Sequence, residues 1–331
     1  MKIGFTYDLK DDYLKVGFSA VESAEFDTVE TIEGIENSLK KQGYSVDRIG
    51  SVKSLIQRLA AGEKWDIVFN IAEGVSGIGR EAQVPAILDV YNIPYVFSDP
   101  MVLSLTLHKG MAKRIVRDAG IRTPQFHIVY SADDIKAVDI PFPLFAKPLS
   151  EGTGKGIGAL SMINNRDDLE KACLQMLKDH DQPVLVEKFL PGREFTVGIT
   201  GTGSDAKVVG MMEINFLAEA ESVAYGLVNK KNYEKLMKYT LPEKEMYEKC
   251  EKTALAAWRV LECRDGGRID LRNNESGEPE FIEVNPLAGL NPIDSDLPIL
   301  SRMSGLDYDG LIKLIMDSAI KRIFNGKKQQ P

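Results

Sequence analysis

Two short segments near the C-terminal end of this 331-residue chain carry its densest chemistry. In Arg268-Ile269-Asp270 an extended backbone puts guanidinium and carboxylate on one face, because strand side chains alternate with a period of two. Glu283-Val284-Asn285 repeats the pattern with a carboxylate and an amide. Asp270, Glu283 and Asn285 are hard oxygen ligands of the kind Mg²⁺ takes while leaving room for water and phosphates. An ion there would bridge nucleotide phosphates and offset developing charge, and Arg268 beside it would stabilise an oxyanion. The competing reading is an exposed strand pair with a surface ion pair. Phe281, Ile282 and Val284 argue instead for buried strands, where a charge needs a partner.

Two further segments suit a nucleotide. Glu151-Gly152-Thr153-Gly154-Lys155-Gly156 lies just after Ala146-Lys147-Pro148. Its alternating glycines allow close backbone approach, and their N–H groups can line an anion-binding concavity. Thr153 adds a hydroxyl; Lys147 and Lys155 add positive charge. The P-loop pattern is not met, and read alone the segment is equally a flexible hairpin. Val184-Leu185-Val186-Glu187-Lys188-Phe189-Leu190 runs into Pro191-Gly192 and then Glu194. It could supply apolar walls for a purine and a carboxylate for a ribose; read alone, an ordinary strand–turn–strand serves as well.

The elements that must position these groups fall into two patterns. Strand signals at 2–7, 45–49, 65–71 and 94–97 alternate with helix signals at 27–43, 52–61 and 81–91, the order of a parallel sheet with helices on both faces. Ligands of such sheets sit beyond the carboxyl ends of the strands, here Tyr7-Asp8 and residues 70–79. A helix is expected over 105–119. Then come strands at 142–148, 156–162 and 184–189 with a helix at 166–177, longer strands at 194–200, 207–213 and 281–284, and helices at 243–261 and 311–323. The last helix is amphipathic, as a core-packing helix would be. The polar stretch 218–240 has the size of a lid. His108 reads as a helix-surface residue, His127 and His180 as structural, Trp65 and Trp258 as core, and Met211-Met212 as packing.

Composition sets the outer limits. With 44% hydrophobic and 27% charged residues the chain is ordinary globular protein. A net charge of -8 argues against nucleic acid as a main partner. Three scattered cysteines fit a reducing compartment, and no Cys–His cluster has zinc spacing. No stretch approaches the ~20 apolar residues of a membrane span, and the N-terminus lacks a signal-peptide core, so a cytoplasmic location is expected.

Taken in order, these motifs resemble the ATP-grasp superfamily, and within it the D-alanine–D-alanine ligase branch. The likeness runs through Asn70-Ile71-Ala72-Glu73-Gly74, Ile93-Pro94-Tyr95, Lys109, Phe145-Ala146-Lys147-Pro148, the glycine-rich segment, Leu190-Pro191-Gly192-Arg193-Glu194-Phe195, Arg268-Ile269-Asp270 and Glu283-Val284-Asn285-Pro286. It implies an ATP-grasp fold of mixed α/β and α+β type. Residues 1–104 would form an N-terminal parallel α/β domain, 105–183 a central α+β unit and 184–331 a C-terminal α+β unit, with ATP between the last two. It implies phosphorylation of a carboxylate by ATP and capture of the acyl phosphate by an amine, with Mg²⁺ (or Mn²⁺) and small amino-acid substrates, and a homodimer through the N-terminal domain.

By resemblance, Lys109 and Lys147 contact ATP phosphates. Glu151, Gly152, Thr153, Gly154 and Lys155 form the loop over them, with Thr153 where the family has serine. Glu187, Lys188, Phe189 and Leu190 border adenine, Glu194 the ribose; Arg268 holds the oxyanion; Asp270, Glu283 and Asn285 hold metal; Lys230 falls at the lid lysine. The departures lie on the amino-acid side. The Ser-x-Glu motif is absent, leaving Glu25 or Glu30 for the first amino group. The His-Gly…Gly-Glu-Asp-Gly segment is replaced by residues 72–81, and a Pro-Gly pair by Pro286-Leu287-Ala288-Gly289-Leu290. D-alanyl-D-alanine is the leading product, with ligases of other carboxylates and amines and a non-catalytic nucleotide-binding module as the alternatives.

Overall fold

The computed structural model describes residues 1–152, 154–216 and 237–325. The N-terminal part is a parallel sheet in the order β2-β1-β3, with β1 Lys2–Thr6 central between β2 Ser45–Gly50 and β3 Ile67–Asn70. The expected strand at 94–97 is reduced to one parallel bridge between Val68 and Tyr95. After α1 (Lys10–Lys15), helix α2 (Val29–Lys41) starts from an extended Thr28, with Glu30 in its first turn and Lys40 and Lys41 in its last, as the helix dipole favours. Its buried stripe of Ile32, Ile35 and Leu39 follows helical spacing. α3 (Val52–Ala60) and α4 (Gln83–Val90) complete the layer.

The expected helix over 105–119 is two: α5 Pro100–Leu107 and α6 Lys109–Asp118. They break at His108, whose ψ of 87° is non-helical and whose Nδ1 accepts the Met111 N–H at 3.1 Å. His108 is therefore a helix cap, and the break makes Lys109 the first residue of α6.

The central unit is an antiparallel sheet, β4-β7-β5-β6, with α7 Arg166–His180 packed on it. Its strands are β4 Phe126–Val129, β5 Leu144–Pro148, the two-residue β6 Met162–Ile163 and β7 Val184–Lys188. β4 escaped the sequence analysis. The strand expected at 156–162 is instead turn and a short 3-10 segment, consistent with positive φ at Gly154 and Gly156. β7 pairs with both β4 and β5, so residues 184–188 complete the central sheet, and the chain leaves it at the turn before Glu194.

The third sheet is antiparallel, in the order β10-β9-β8-β11-β12: β8 Glu194–Thr200, β9 Lys207–Phe216, β10 Met237–Thr240, β11 Gly266–Asn273 and β12 Pro279–Asn285. One face packs on α6 and α8 (Lys244–Val260), with Trp258 fully buried. The other receives α9 (Asp296–Met303), also unforeseen, and α10 (Tyr308–Asn325). Leu300, Leu311, Ile315 and Met316 of these helices join Ile3, Phe5, Ile35 and Phe69 of the N-terminal part in one apolar cluster. That shared core, rather than a linker, fixes the first sheet beside the third.

Candidate active site

The groove between the second and third sheets is built by strand register. Phe145 faces Glu187 across β5 and β7, and Lys147 lies two residues further along β5 on the same face. In the third sheet Arg268 faces Asn285 and Asp270 faces Glu283, so all four side chains share one face. A bulge follows: Leu271 pairs with Phe281, leaving Ile282 as the extra residue. It shifts the alternation of β12 by one, so that Ile282 and Glu283 both border the groove. Apolar walls come from Phe145, Ile157, Phe189, Leu190, Leu271 and Ile282. Lys109, Lys147, Glu151, Gly154, Lys155, Glu187, Lys188, Glu194, Asp270 and Glu283 line it as well, so these expected residues converge. Asn285 and Arg268 line the adjoining cavity. Thr153 and Lys230 lie outside the described residues.

Electrostatically the groove is compensated pair by pair. Glu187, 3% exposed, sits between Lys147 (Nζ to Oε1 3.2 Å) and Lys113 (Nζ to Oε2 2.8 Å). Burial disfavours its charge, but the two ammonium groups outweigh that and hold its carboxyl below the usual range. Lys113, with no exposed surface, was missed in the sequence. The available signal was its spacing: four residues after Lys109 it lies on the same face of α6. Burial pulls the ammonium of both lysines down, while Glu187 and Glu283 together overcome burial and hold Lys147 up. Glu283 Oε2 lies 3.8 Å from Lys109 and 3.6 Å from Lys147. Lys109 also donates to the Glu151 carbonyl, and Lys155 pairs with the Glu151 carboxylate at 3.0 Å. Arg272 stacks over Phe189 at 4.9 Å and donates to Glu194 at 3.3 Å.

Arg268, 7% exposed, donates to Asp270 and lies 3.7 Å from Asp296. Burial opposes its charge, yet Asp270, Asp296 and Glu283 outweigh it and keep the guanidinium ionised. Asp270 also accepts from the Thr196 hydroxyl at 3.0 Å and from Asn285 at 3.4 Å. Two carboxylates and an amide oxygen are a partial donor set, the kind Mg²⁺ completes with water and phosphate oxygens.

A second cavity shares Lys109, Glu151 and Glu283 with the groove and carries Arg268 and Asn285 in its wall. Glu25, Glu73 and Glu81 from the N-terminal part line the same cavity. Of the two glutamates expected here, Glu25 reaches the cavity, whereas Glu30 is exposed in the first turn of α2. Asp8 at the end of β1 accepts the Gly74 N–H at 2.9 Å, and Asn70 at the end of β3 accepts the Ala72 N–H at 3.2 Å, which fixes the loop holding Glu73. Gly74 has φ +74°, and a side chain there would press on the Arg80 carbonyl at 2.5 Å. Arg80 bonds Glu25 at 3.0 Å and the Ser150 carbonyl at 3.0 Å, while Glu25 accepts the Gly152 N–H at 2.6 Å. A Cβ on Gly152 would meet that carboxylate at 2.6 Å, so a larger residue there would push the Glu25 side chain out of this contact. Burial and the neighbouring Glu25 drive the Glu81 carboxyl up to about 7, against the pull of Arg80 and Lys109. Glu73 is raised well above the ordinary range by burial and by Glu81, Glu25 and Asp27.

An apolar, lysine-floored groove between two antiparallel sheets, opening onto an arginine-walled cavity, defines an ATP-grasp ligase. Residues 115–317 match the family model described as D-ala D-ala ligase C-terminus. Similar curated proteins include an uncharacterized protein, y4sG, of Sinorhizobium fredii (31% identical over 78% of this chain and 76% of that one). Another is the D-alanine–D-alanine ligase of Aquifex aeolicus (28%, 87% of this chain and 94% of that one). Among solved structures, D-alanine–D-alanine ligase from Bacillus anthracis complexed with ATP shares the fold with a TM-score of 0.73 at 23% identity, covering 99% of both chains. VanG D-Ala:D-Ser ligase from Enterococcus faecalis does so with 0.73 at 19%, covering 96% of this chain and 99% of that one. The chain belongs to the D-alanine–D-alanine ligase family. It is an ATP-dependent ligase that forms peptide bonds, and no helix among its described residues is long and apolar enough to cross a membrane.

Proposed function

We propose that the two adjoining cavities hold ATP and a pair of amino acids, and that the enzyme joins the amino acids through an acyl phosphate. The observation that carries this reading is the Arg268–Asp270 ion pair, whose members line different cavities while Lys109 and Glu283 line both. A carboxylate is a poor electrophile, and phosphorylation gives it a leaving group. Lys109 and Lys147 offset charge on the transferring phosphoryl; Lys113 keeps Glu187 ionised, and Glu187 in turn orients Lys147. Glu194 and the strip 187–190 receive the nucleoside. Asp270, Glu283 and Asn285 would hold Mg²⁺, which supplies Lewis-acid offset of phosphate charge when bound. Arg268, held by Asp270 and Asp296, faces the carbonyl oxygen as the amine attacks and stabilises the tetrahedral oxyanion. Thr153 and Lys230 are assigned to the covering segments, which exclude water that would hydrolyse the acyl phosphate. The proposed setting is the cytoplasm.

D-alanine is the substrate carried by the relatives' names, and it is the first to try. A second reading, a ligase for other amino acids, is favoured by Glu73 and Glu81 in the cavity wall. Purified protein with ATP and Mg²⁺ is expected to release ADP and phosphate only when amino acids are added, with dipeptide detected by mass spectrometry. Nucleotide binding with no ADP released across D- and L-amino acids would sink the ligase reading.

A further inference from the structure

The second cavity gathers more carboxyl groups than its own cations answer. Glu151 pairs with Lys155, Glu283 lies between Lys109 and Lys147, and Glu25 pairs with Arg80. Glu73 and Glu81 are left: among the described residues neither makes a hydrogen bond or ion pair, and the donors of Arg80 are directed at Glu25 and Ser150. Two part-buried carboxylates side by side repel each other and lack water to screen them. A bound amino acid brings one lasting positive charge, the α-ammonium of the acyl donor. The acceptor nitrogen cannot supply the other, because it must lose its proton to attack. With its carboxylate towards Arg268, a donor has its ammonium, and any second cation it carries, available to the glutamates that line the same cavity.

We propose that Glu73 and Glu81 are specificity-determining residues that select an amino acid with a cationic side chain, of the diamino-acid class, for one of the two substrate positions. This inference rests on the ligase reading. The second ammonium completes the charge balance of the wall, and an uncharged side chain of the same length leaves one carboxylate buried without a counter-charge.

The test is ADP release with ATP and Mg²⁺ across D- and L-lysine, ornithine and 2,3-diaminopropionate, set against alanine and norleucine, with products identified by mass spectrometry. The expected result is a kcat/KM for at least one diamino acid about 10²-fold above norleucine, the size typical of a close buried charge pair. Glu73→Gln and Glu81→Gln should each cut that ratio tenfold or more without changing KM for ATP. Preference for alanine or norleucine in the unaltered enzyme, which needs no variant to fold, overturns the proposal and leaves the ligase reading standing. So does a preference that survives both variants. Loss of turnover for every amino acid alike also overturns it, since it would make these carboxylates proton acceptors. An empty panel overturns both readings.

Discussion

The two cavities meet at Lys109 and Glu283, yet their charges are organised in opposite ways. In the groove proposed for the nucleotide, buried charge is answered within the protein: Glu187 by Lys113 and Lys147, Glu283 by Lys109 and Lys147. Such a groove is preorganised before any ligand arrives, as electrostatic catalysis requires. In the amino-acid cavity Glu73 and Glu81 are left for the ligand to answer. The difference teaches where chemistry ends and specificity begins. The compensated groups match the family, whereas the uncompensated pair lies in the segment 72–81 that departs from it.

The largest expected effect breaks the compensated side. Lys113→Met removes one of two ammonium groups from a carboxylate with almost no exposure and should destabilise the fold by up to about 3–5 kcal/mol, the typical cost of stranding a buried charge, less the part that Lys147 still answers. Urea unfolding measures it. Combining it with Glu187→Gln should recover much of that loss, because the stranded charge is gone; a double variant no more stable than Lys113→Met would refute the pairing. Next in size, Arg268→Ala should lower kcat by about 10²–10³-fold, the usual cost of a lost oxyanion donor, with KM for ATP nearly unchanged. A parallel loss of nucleotide affinity would move Arg268 to the groove.

The uncompensated side has a pH signature of defined sign. Glu81 titrates near 7 in the folded protein and near 4.5 unfolded. Between those values the folded state holds a proton that the unfolded state has lost, so stability falls as pH rises and levels off above about 7. Glu73 acts in the same direction; Arg80 and Lys109, which face the pair, lessen the effect without reversing it. Thermal unfolding from pH 5 to 7.5 should show a steeper decline for the ligand-free protein than for Glu81→Gln. Equal slopes would mean that Glu81 titrates as an ordinary surface carboxylate.

How much of this was legible in the sequence follows from the range of each signal. Strand alternation is local, so the shared face of Arg268, Asp270, Glu283 and Asn285 could be read, as could the convergence of Lys109, Lys147 and Glu187 through resemblance. The bulge at Ile282 depends on how β12 pairs with β11, and no local pattern records it. Nothing local marks Lys113 as buried, because its partner lies 74 positions away on β7. Glu73 and Glu81 were seen as part of a replaced segment but not as a wall, since that depends on the end of β3 folding back toward the third sheet. The strand expected at 156–162 is turn and a short 3-10 segment, because the positive φ taken up at Gly156 breaks an extended chain and only glycine adopts it readily.

The smallest expected effect separates a cap from a catalyst beside the site. His108 adjoins Lys109 in sequence, and burial pulls its imidazole below its ordinary range, so at neutral pH its Nδ1 is free to accept the Met111 N–H. His108→Ala should cost about 1 kcal/mol, the ordinary value of a helix N-cap, while His108→Asn retains an acceptor and most of the stability. Because α6 carries both Lys109 and Lys113 into the groove, the alanine variant should raise KM for ATP modestly and leave the pH profile of kcat in place. A kcat profile that loses an ionisation in His108→Ala, and is not restored by asparagine, would instead put the imidazole in the proton-transfer path and blur the boundary between the two cavities.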